Sequence, residues 1–383
     1  MSAPVPLAIP FHKAVGAPRE EEFVGQVLRS GARQGDGPFT RRCHERLRAL
    51  TGAHALLTTS CTDALELAGL LLDLAPGDEV ILPSYTFVSS ANAFVLRGAV
   101  PVFADVCADT MNIDPAQVAA LVTARTRAVV VVHYAGIACD LEAIGAICAR
   151  HRLALVEDAA HALFSTWRGR ALGTIGDLGT LSFHDTKNLP CGEGGALLTT
   201  RPDLHQRAEV MREKGTNRAQ FFRGEVDKYT WVERGSSYLP SDVLAAVIAA
   251  QFEIATDIQA RRAGLWAAYR SGLATWAAAN GVALPTVPAD CGPSHHMFQI
   301  VLPSLAARQG LIAHLRAQGI GSAFHYVPLH ASPMGRQIGR APLGCPVAEM
   351  LGDRLLRLPM WNGLTSVEVA TVVAAVGTFT CRD

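Results

Sequence analysis

Lysine is scarce in this chain of 383 residues: only Lys13, Lys187, Lys214 and Lys228 are present, and arginine fills nearly every other basic position. Lys187 lies in Thr180-Leu181-Ser182-Phe183-His184-Asp185-Thr186-Lys187-Asn188, which runs into Gly192-Glu193-Gly194-Gly195. A guanidinium keeps its charge, whereas a buried amine sheds its proton readily and can attack a carbonyl. Where arginine is the default cation, a lysine between a strand-like run and a glycine cluster reads as a Schiff-base nucleophile. An exposed lysine in a turn fits the same local sequence.

Other reactive side chains also follow short apolar runs. Glu157-Asp158, with His161 close behind, ends the run Leu153-Ala154-Leu155-Val156. A carboxylate directly after a buried strand requires a cation or hydrogen-bond donors. Helix capping by Asp158 and an internally satisfied His161 are the plainer readings. Thr59-Ser60-Cys61-Thr62 opens an apolar helix after a short strand. Such a start offers free amide N–H groups and a positive dipole end to a phosphate, although an ordinary N-cap uses the same residues. Tyr85 and Phe87 follow Glu79-Val80-Ile81-Leu82, and His133-Tyr134 follow the apolar residues 129–132. Residues 214–238 read as a long irregular segment. Its Arg218, Arg223, Lys228, Tyr229 and Trp231 suit an anionic ligand carrying a ring, or a solvated or subunit-contacting loop.

The elements that must hold these residues alternate. Strands are expected at 55–58, 79–82, 100–103, 127–133, 153–156, 178–183 and 195–200. Helices are expected at 20–30, 41–50, 62–74, 93–96 and 141–150. Continuous apolar strands interleaved with helices indicate an α/β protein with a mainly parallel sheet covered on both faces. Ligands of such sheets bind at the carboxyl ends of the strands, where Tyr85 and Phe87, His133-Tyr134, Glu157-Asp158 with His161 and the Lys187 loop fall. One long helix over 241–279 is expected to bridge to a second region, with Pro285, Pro288 and Gly292 marking the boundary. The division is therefore residues 1–250, a large domain including the N-terminal segment, and 251–383, the bridging helix and a smaller domain. The latter contains a strand at 297–302 and a helix at 308–318.

Composition narrows the class. The chain is 49% hydrophobic and 18% charged, with 34 basic and 34 acidic residues, so no basic excess points to nucleic acid. Nine scattered cysteines without a C-x-x-C pair indicate neither a disulfide framework nor a zinc knuckle. His325 and His330 are five apart with Pro328 between them, which is not a helical metal pair, and no metal is expected. Pro4, Pro6 and Pro10 break the N-terminus and argue against a signal peptide. Apolar stretches such as 243–250 fall short of the ~20 residues that span a bilayer. A cytoplasmic protein without membrane segments is expected.

As a set, the residues match the needs of pyridoxal phosphate (PLP). That cofactor requires a lysine for its aldehyde, a helix N-terminus for its phosphate, a carboxylate for its ring nitrogen and an aromatic face for the ring. Thr59-Ser60-Cys61-Thr62, Pro83-Ser84-Tyr85-Thr86-Phe87, Glu157-Asp158-Ala159-Ala160-His161 and Ser182-Phe183-His184-x-x-Lys187-Asn188 together resemble the sugar aminotransferases of the DegT/DnrJ/EryC1/StrS family. The likeness runs from Gly31 to Pro359. Gly35-Asp36-Gly37, the segment 215–231 and Phe324-His325-Tyr326-x-Pro328-Leu329-His330 are most similar to the branch that makes dTDP-4-amino-4,6-dideoxygalactose.

The resemblance implies a PLP-dependent transferase of fold type I, working through the pyridoxamine form. Lys187 is implied to bind the cofactor and shuttle the proton, with Asp158 on the ring nitrogen, Phe87 on the ring face and His161 near the ring hydroxyl. Ser60, Cys61, Thr62 and Ser182 are implied to hold the phosphate. Many members add an asparagine from the partner subunit; Leu239 stands there instead, and Ser236 or Tyr238 is the expected substitute. L-Glutamate is the implied donor and dTDP-4-keto-6-deoxy-D-glucose the acceptor, with Tyr326 and His330 at the sugar. Arg218, Arg223 and Lys228 are implied to clamp the diphosphate in a homodimer or larger homo-oligomer with shared sites. Another nucleotide-linked keto sugar is the alternative acceptor. Relatives that dehydrate the sugar carry His in place of the lysine, and a non-catalytic protein would lack part of the cofactor set.

Overall fold

Seven strands form the central sheet, in the spatial order His54–Thr58, Gly195–Thr199, Leu178–Ser182, Ala154–Asp158, Thr126–Val132, Glu79–Pro83 and Val100–Ala104. The computed structural model describes residues 7–381. Five of the strands, from Leu178–Ser182 to Val100–Ala104, pair in parallel. Gly195–Thr199 runs antiparallel to both its neighbours. Residues 128–131, Ala-Val-Val-Val, have no exposed face, as a sheet covered on both sides requires.

Helices keep close to their sequence signals. Glu20–Ser30 ends on a left-handed Gly31. Pro38–Thr51 starts earlier than its apolar pattern suggests, because Pro38 presets the first turn. Asp242, from another helix, accepts from the Phe39 and Thr40 amides at 3.2 and 2.8 Å.

Two expectations are corrected. The bridging helix over 241–279 is two helices, Asp242–Glu253 and Ala255–Ala279, bent by 62°. Neither proline nor glycine marks the break. The first helix packs on Glu20–Ser30 and Pro38–Thr51, and the second on Ser366–Gly377, so tertiary partners set the angle. The stretch around Ile9, assigned above with the N-terminal segment to the large domain, packs on the C-terminal core. Ile9 exchanges backbone hydrogen bonds with Gly319 and Gly321, and buries beside Tyr269, Phe298 and Leu315. Residues 1–6, including Pro4 and Pro6, lie outside the described residues.

The C-terminal core covers a three-stranded antiparallel sheet with Leu355–Leu358 in the middle, between Phe298–Val301 and Ala323–Phe324. No single helix among the described residues is long and apolar enough to cross a membrane.

Candidate active site

A cavity of about 400 Å³ opens at the carboxyl ends of the central strands. Ser60, Cys61, Thr62, Phe87, Asp158, His161, Ser182, Lys187 and Tyr326 all line it. Residues spread over more than 260 positions of sequence thus meet in one space.

Lys187 stands on the loop between Leu178–Ser182 and Gly195–Thr199. The loop is cross-tied by backbone bonds from Phe183 N to Gly194 O and from Cys191 N to Phe183 O, both 2.8 Å. Asn188 anchors it from below. Its side-chain amide donates to Gln259 Oε1 and Ser294 O, and its backbone carbonyl accepts from Asn362. Burial pushes the Lys187 amine down to about 8, against the pull of Cys61 and Asp158 and with the help of Arg357. A lysine near 8 has an appreciable neutral fraction under ordinary conditions, which a nucleophilic amine requires.

Asp158 and Glu157 end one strand, and alternation sends them to opposite faces. Glu157 accepts four bonds, from the Gly173, Ile175 and Gly176 amides and from His133 Nε2. Burial pushes its carboxyl up, but His133 and these amides outweigh that and hold it low. Its acceptor capacity is spent on the fold. Asp158 accepts from Ser90 Oγ at 2.7 Å and from the Ala160 amide at 3.1 Å, and still faces the cavity. A cationic ring nitrogen fits its remaining lone pairs.

Neighbours fix the tautomer of His161. Its Nδ1 accepts from the Ala135 amide at 3.3 Å, and burial drives its pKa well down, so the ring is neutral with its proton on Nε2. A neutral Nε2–H is a donor for a ring hydroxyl oxygen. His296 stacks on it at 4.4 Å. The Asn188 amide nitrogen is already donating, so its oxygen accepts from His296 Nδ1 at 2.9 Å. The lysine loop and the histidine stack therefore form one hydrogen-bonded assembly.

The helix Cys61–Leu71 points its N-terminus into the cavity, with Ser60 Oγ accepting from the Asp63 amide. The Cys61 and Thr62 amides belong to the first turn and face no intrahelical acceptor. Gly195 keeps this end open: a Cβ there would lie 2.4 Å from Cys61 N and from Ser60 C. Thr62 Oγ1 and Ser89 Oγ pair at 2.8 Å beside it. Phe87 is 56% exposed at the same cavity, with a ring face available for stacking. Lysine, acid, donor histidine, anion-binding helix end and aromatic rim together fit PLP.

Several expected residues lie elsewhere. His330 does not line the cavity: its Nδ1 pairs with Ser84 Oγ and its Nε2 with Glu349, which ties it to the scaffold. Arg218 is paired with Glu213, and Arg223 with Glu209 and Glu225, around a second cavity. Neither these nor Lys228 and Ser236 reach Lys187 within one chain.

The structure adds Ser90, His296 and Arg357, which sequence reasoning missed, and places His325, named above only within a motif, at the cavity. Tyr134 OH pairs with His325 Nδ1 at 3.1 Å, and the His325 and Tyr326 rings stack at 3.7 Å. Arg357 sits in Leu-Leu-Arg-Leu, where an isolated arginine among leucines in a strand was the available signal.

Comparison with known proteins agrees with this geometry. Residues 16–377 match the model of the DegT/DnrJ/EryC1/StrS aminotransferase family. The chain is 34% identical over 377 residues, 96% of each protein, to the spore coat polysaccharide biosynthesis protein SpsC of Bacillus subtilis (strain 168). It resembles the crystal structure of the aminotransferase TlmJ from Streptoalloteichus hindustanus, with a TM-score of 0.87 and 32% identity over 96% of this chain and 97% of that one. It also resembles the PLP form of Spr1654 from Streptococcus pneumoniae, described as a putative sugar aminotransferase, with a TM-score of 0.88 and 26% identity over 97% and 98% of the two chains. The fold is type I, the cofactor is pyridoxal phosphate, and the chain belongs to the DegT/DnrJ/EryC1/StrS family of aminotransferases.

Proposed function

We propose that the protein transfers an amino group from L-glutamate to C4 of dTDP-4-keto-6-deoxy-D-glucose, giving a dTDP-4-amino-4,6-dideoxyhexose and 2-oxoglutarate. The observation that carries the reaction class is the meeting of Lys187, Asp158, His161 and the Cys61 helix end in one cavity. The sugar assignment is supported by the segments at 35–37, 215–231 and 324–330, which resemble the enzymes of that pathway branch.

Bound PLP supplies the electron sink that makes the donor α-carbon acidic. The chain supplies the rest. Asp158, steadied by Ser90, holds the proton on the ring nitrogen, and His161 Nε2 donates to the ring hydroxyl oxygen. The Cys61 and Thr62 amides, with Ser182 and Ser60 beside them, receive the phosphate. Lys187 Nζ carries the proton away from the donor α-carbon and in the second half delivers one to C4 of the sugar. Phe87 and Tyr326, 6.3 Å apart, wall the side on which substrate enters.

A homodimer with shared sites is part of the reading. Trp231 and Phe222 are 76% and 70% exposed on the 214–238 segment, and such aromatics suit a second copy of the chain. Ser236 on that segment is the residue we assign to the partner's phosphate. Nine free cysteines suit a reducing cytoplasm.

Product NMR after incubation with the keto sugar and L-glutamate tests the assignment. A 4-amino sugar is expected, and its stereochemistry is read from the same spectrum. A keto sugar recovered unchanged, with the cofactor band present, would reject the substrate and leave the fold intact.

A further inference from the structure

Arg357 has no task in the scheme above. It lies on the central strand of the C-terminal sheet, in register with Gln299 and Ala323, and lines the Lys187 cavity. Among the described residues no carboxylate pairs with it, and its buried Nε has no hydrogen-bond partner. The Phe11 ring packs against its guanidinium, 4.6 Å from the ring centre. The titratable side chains that raise its pKa are phenols: Tyr134, Tyr326 and Tyr85. Burial pushes all three phenols up, so they stay neutral and supply no anion.

The two most buried arginines show what is missing. Arg262 donates to His295 O, His296 O and Asn362 Oδ1, and Arg212 pairs with Asp36 at 2.6 Å. A desolvated guanidinium with neither acid nor acceptor is costly, and it is a planar two-pronged site for a carboxylate. Besides Lys187 it is the only lysine or arginine lining this cavity among the described residues. The donor α-carbon must sit at Lys187, and its carboxylate is one bond away.

We propose that Arg357 binds the α-carboxylate of the amino donor and thereby restricts donors to α-amino acids. Phe11, from the N-terminal segment, holds the guanidinium in place. The inference rests on the aminotransferase reading, which supplies an amino acid as first substrate.

The test separates the two half-reactions in the PLP-loaded enzyme, following the visible cofactor band. L-Glutamate, L-glutamine (which lacks the γ-carboxylate) and L-isoglutamine (which lacks the α-carboxylate) are compared in wild type, Arg357→Met and Arg357→Lys. Binding of 2-oxoglutarate by thermal shift is the readout that needs no turnover. In wild type, isoglutamine is expected to need at least about 100-fold higher concentration than glutamate, and glutamine less than that. Arg357→Met raises the glutamate requirement by a similar factor, erases the preference against isoglutamine and abolishes the 2-oxoglutarate shift. Its half-saturation for the keto sugar stays within about 3-fold. Arg357→Lys, a point charge without the fork, recovers part of the loss and carries the test if the methionine variant does not fold. Equal losses in both half-reactions, or wild type accepting isoglutamine as well as glutamate, overturn the inference. A wild-type band that no amino acid bleaches rejects the aminotransferase reading itself, and this outcome is distinct from the other two.

Discussion

Two cavities of this protein are lined by cations, and the larger one is chemically the quieter. The second cavity, about 570 Å³, is bordered by Arg41, Arg48, Arg212, Arg218 and Arg223. Three of them carry carboxylates: Arg212 holds Asp36, Arg218 holds Glu213, and Arg223 holds Glu209 and Glu225. The Lys187 cavity is smaller, about 400 Å³, yet among the described residues no carboxylate pairs with its lysine or its arginine. Volume and net charge alone would select the wrong site. What marks the reactive one is polar capacity that the fold leaves unspent, at a cost only a ligand can offset.

Removing a spent cation should hurt chemistry far less than removing an unspent one. Lys187→Ala is expected to lower turnover at least about 10⁴-fold and to erase the visible cofactor band. Lys187→Arg should do the same, because the charge is not what the site uses. Asp158→Ala comes next, with a loss of about 100-fold or more and a weaker hold on cofactor, measured by turnover and by PLP titration. Its neighbour gives the contrast within a single strand. Glu157→Ala leaves three amides and His133 without an acceptor in a buried place and should cost about 3–5 kcal/mol in denaturant unfolding. The folded fraction should keep its cofactor band. A Glu157 variant that folds normally and loses PLP would reverse the roles assigned to the two carboxylates.

The same distinction governs what could be read in the sequence. The strands were legible because a two-sided sheet writes its burial as local apolar runs, and Lys187, Asp158 and the Ser60–Thr62 helix start are each local to such a run. Their companions were not. Ser90 reads as an ordinary serine ahead of a helix until its hydroxyl meets Asp158 from another strand end. Arg357 reads as a cation on a strand. That it faces a cavity under Phe11 depends on the N-terminal segment crossing to the C-terminal core, which no local pattern encodes. His330 shows the opposite case: both its nitrogens pair with Ser84 and Glu349, partners that no local pattern names. The break at Ile254 was invisible for a similar reason: the chain there is helix-forming, and the angle comes from what each half packs on.

Smaller effects sharpen the contrast. Arg223→Ala removes pairs at the rim of the second cavity with a partly exposed guanidinium, and should change stability by no more than about 1 kcal/mol. Its effect on cofactor binding to one chain should be negligible. A loss confined to keto-sugar saturation in the assembled oligomer would instead assign that arginine to a neighbour's substrate, as the diphosphate clamp requires.

The finest test is the proton on Lys187. Its amine lies near 8 rather than 10.5, chiefly through burial, so below pH 8 the apo protein holds it mainly protonated. Capture of PLP needs the neutral amine. Its rate, followed by stopped-flow absorbance, should therefore rise about tenfold per pH unit up to a midpoint near 8 and level off above it. Asp158 favours the charged amine and Arg357 disfavours it. Asp158→Asn should accordingly move the midpoint down and Arg357→Met should move it up, while Arg223→Ala leaves it in place. Opposite shifts from two residues of the same cavity, and none from the other cavity, would tie the unspent charges to the reactive nitrogen directly. A midpoint indifferent to Arg357 would mean that the arginine, although it shares the space, does not share the electrostatics on which its proposed role depends.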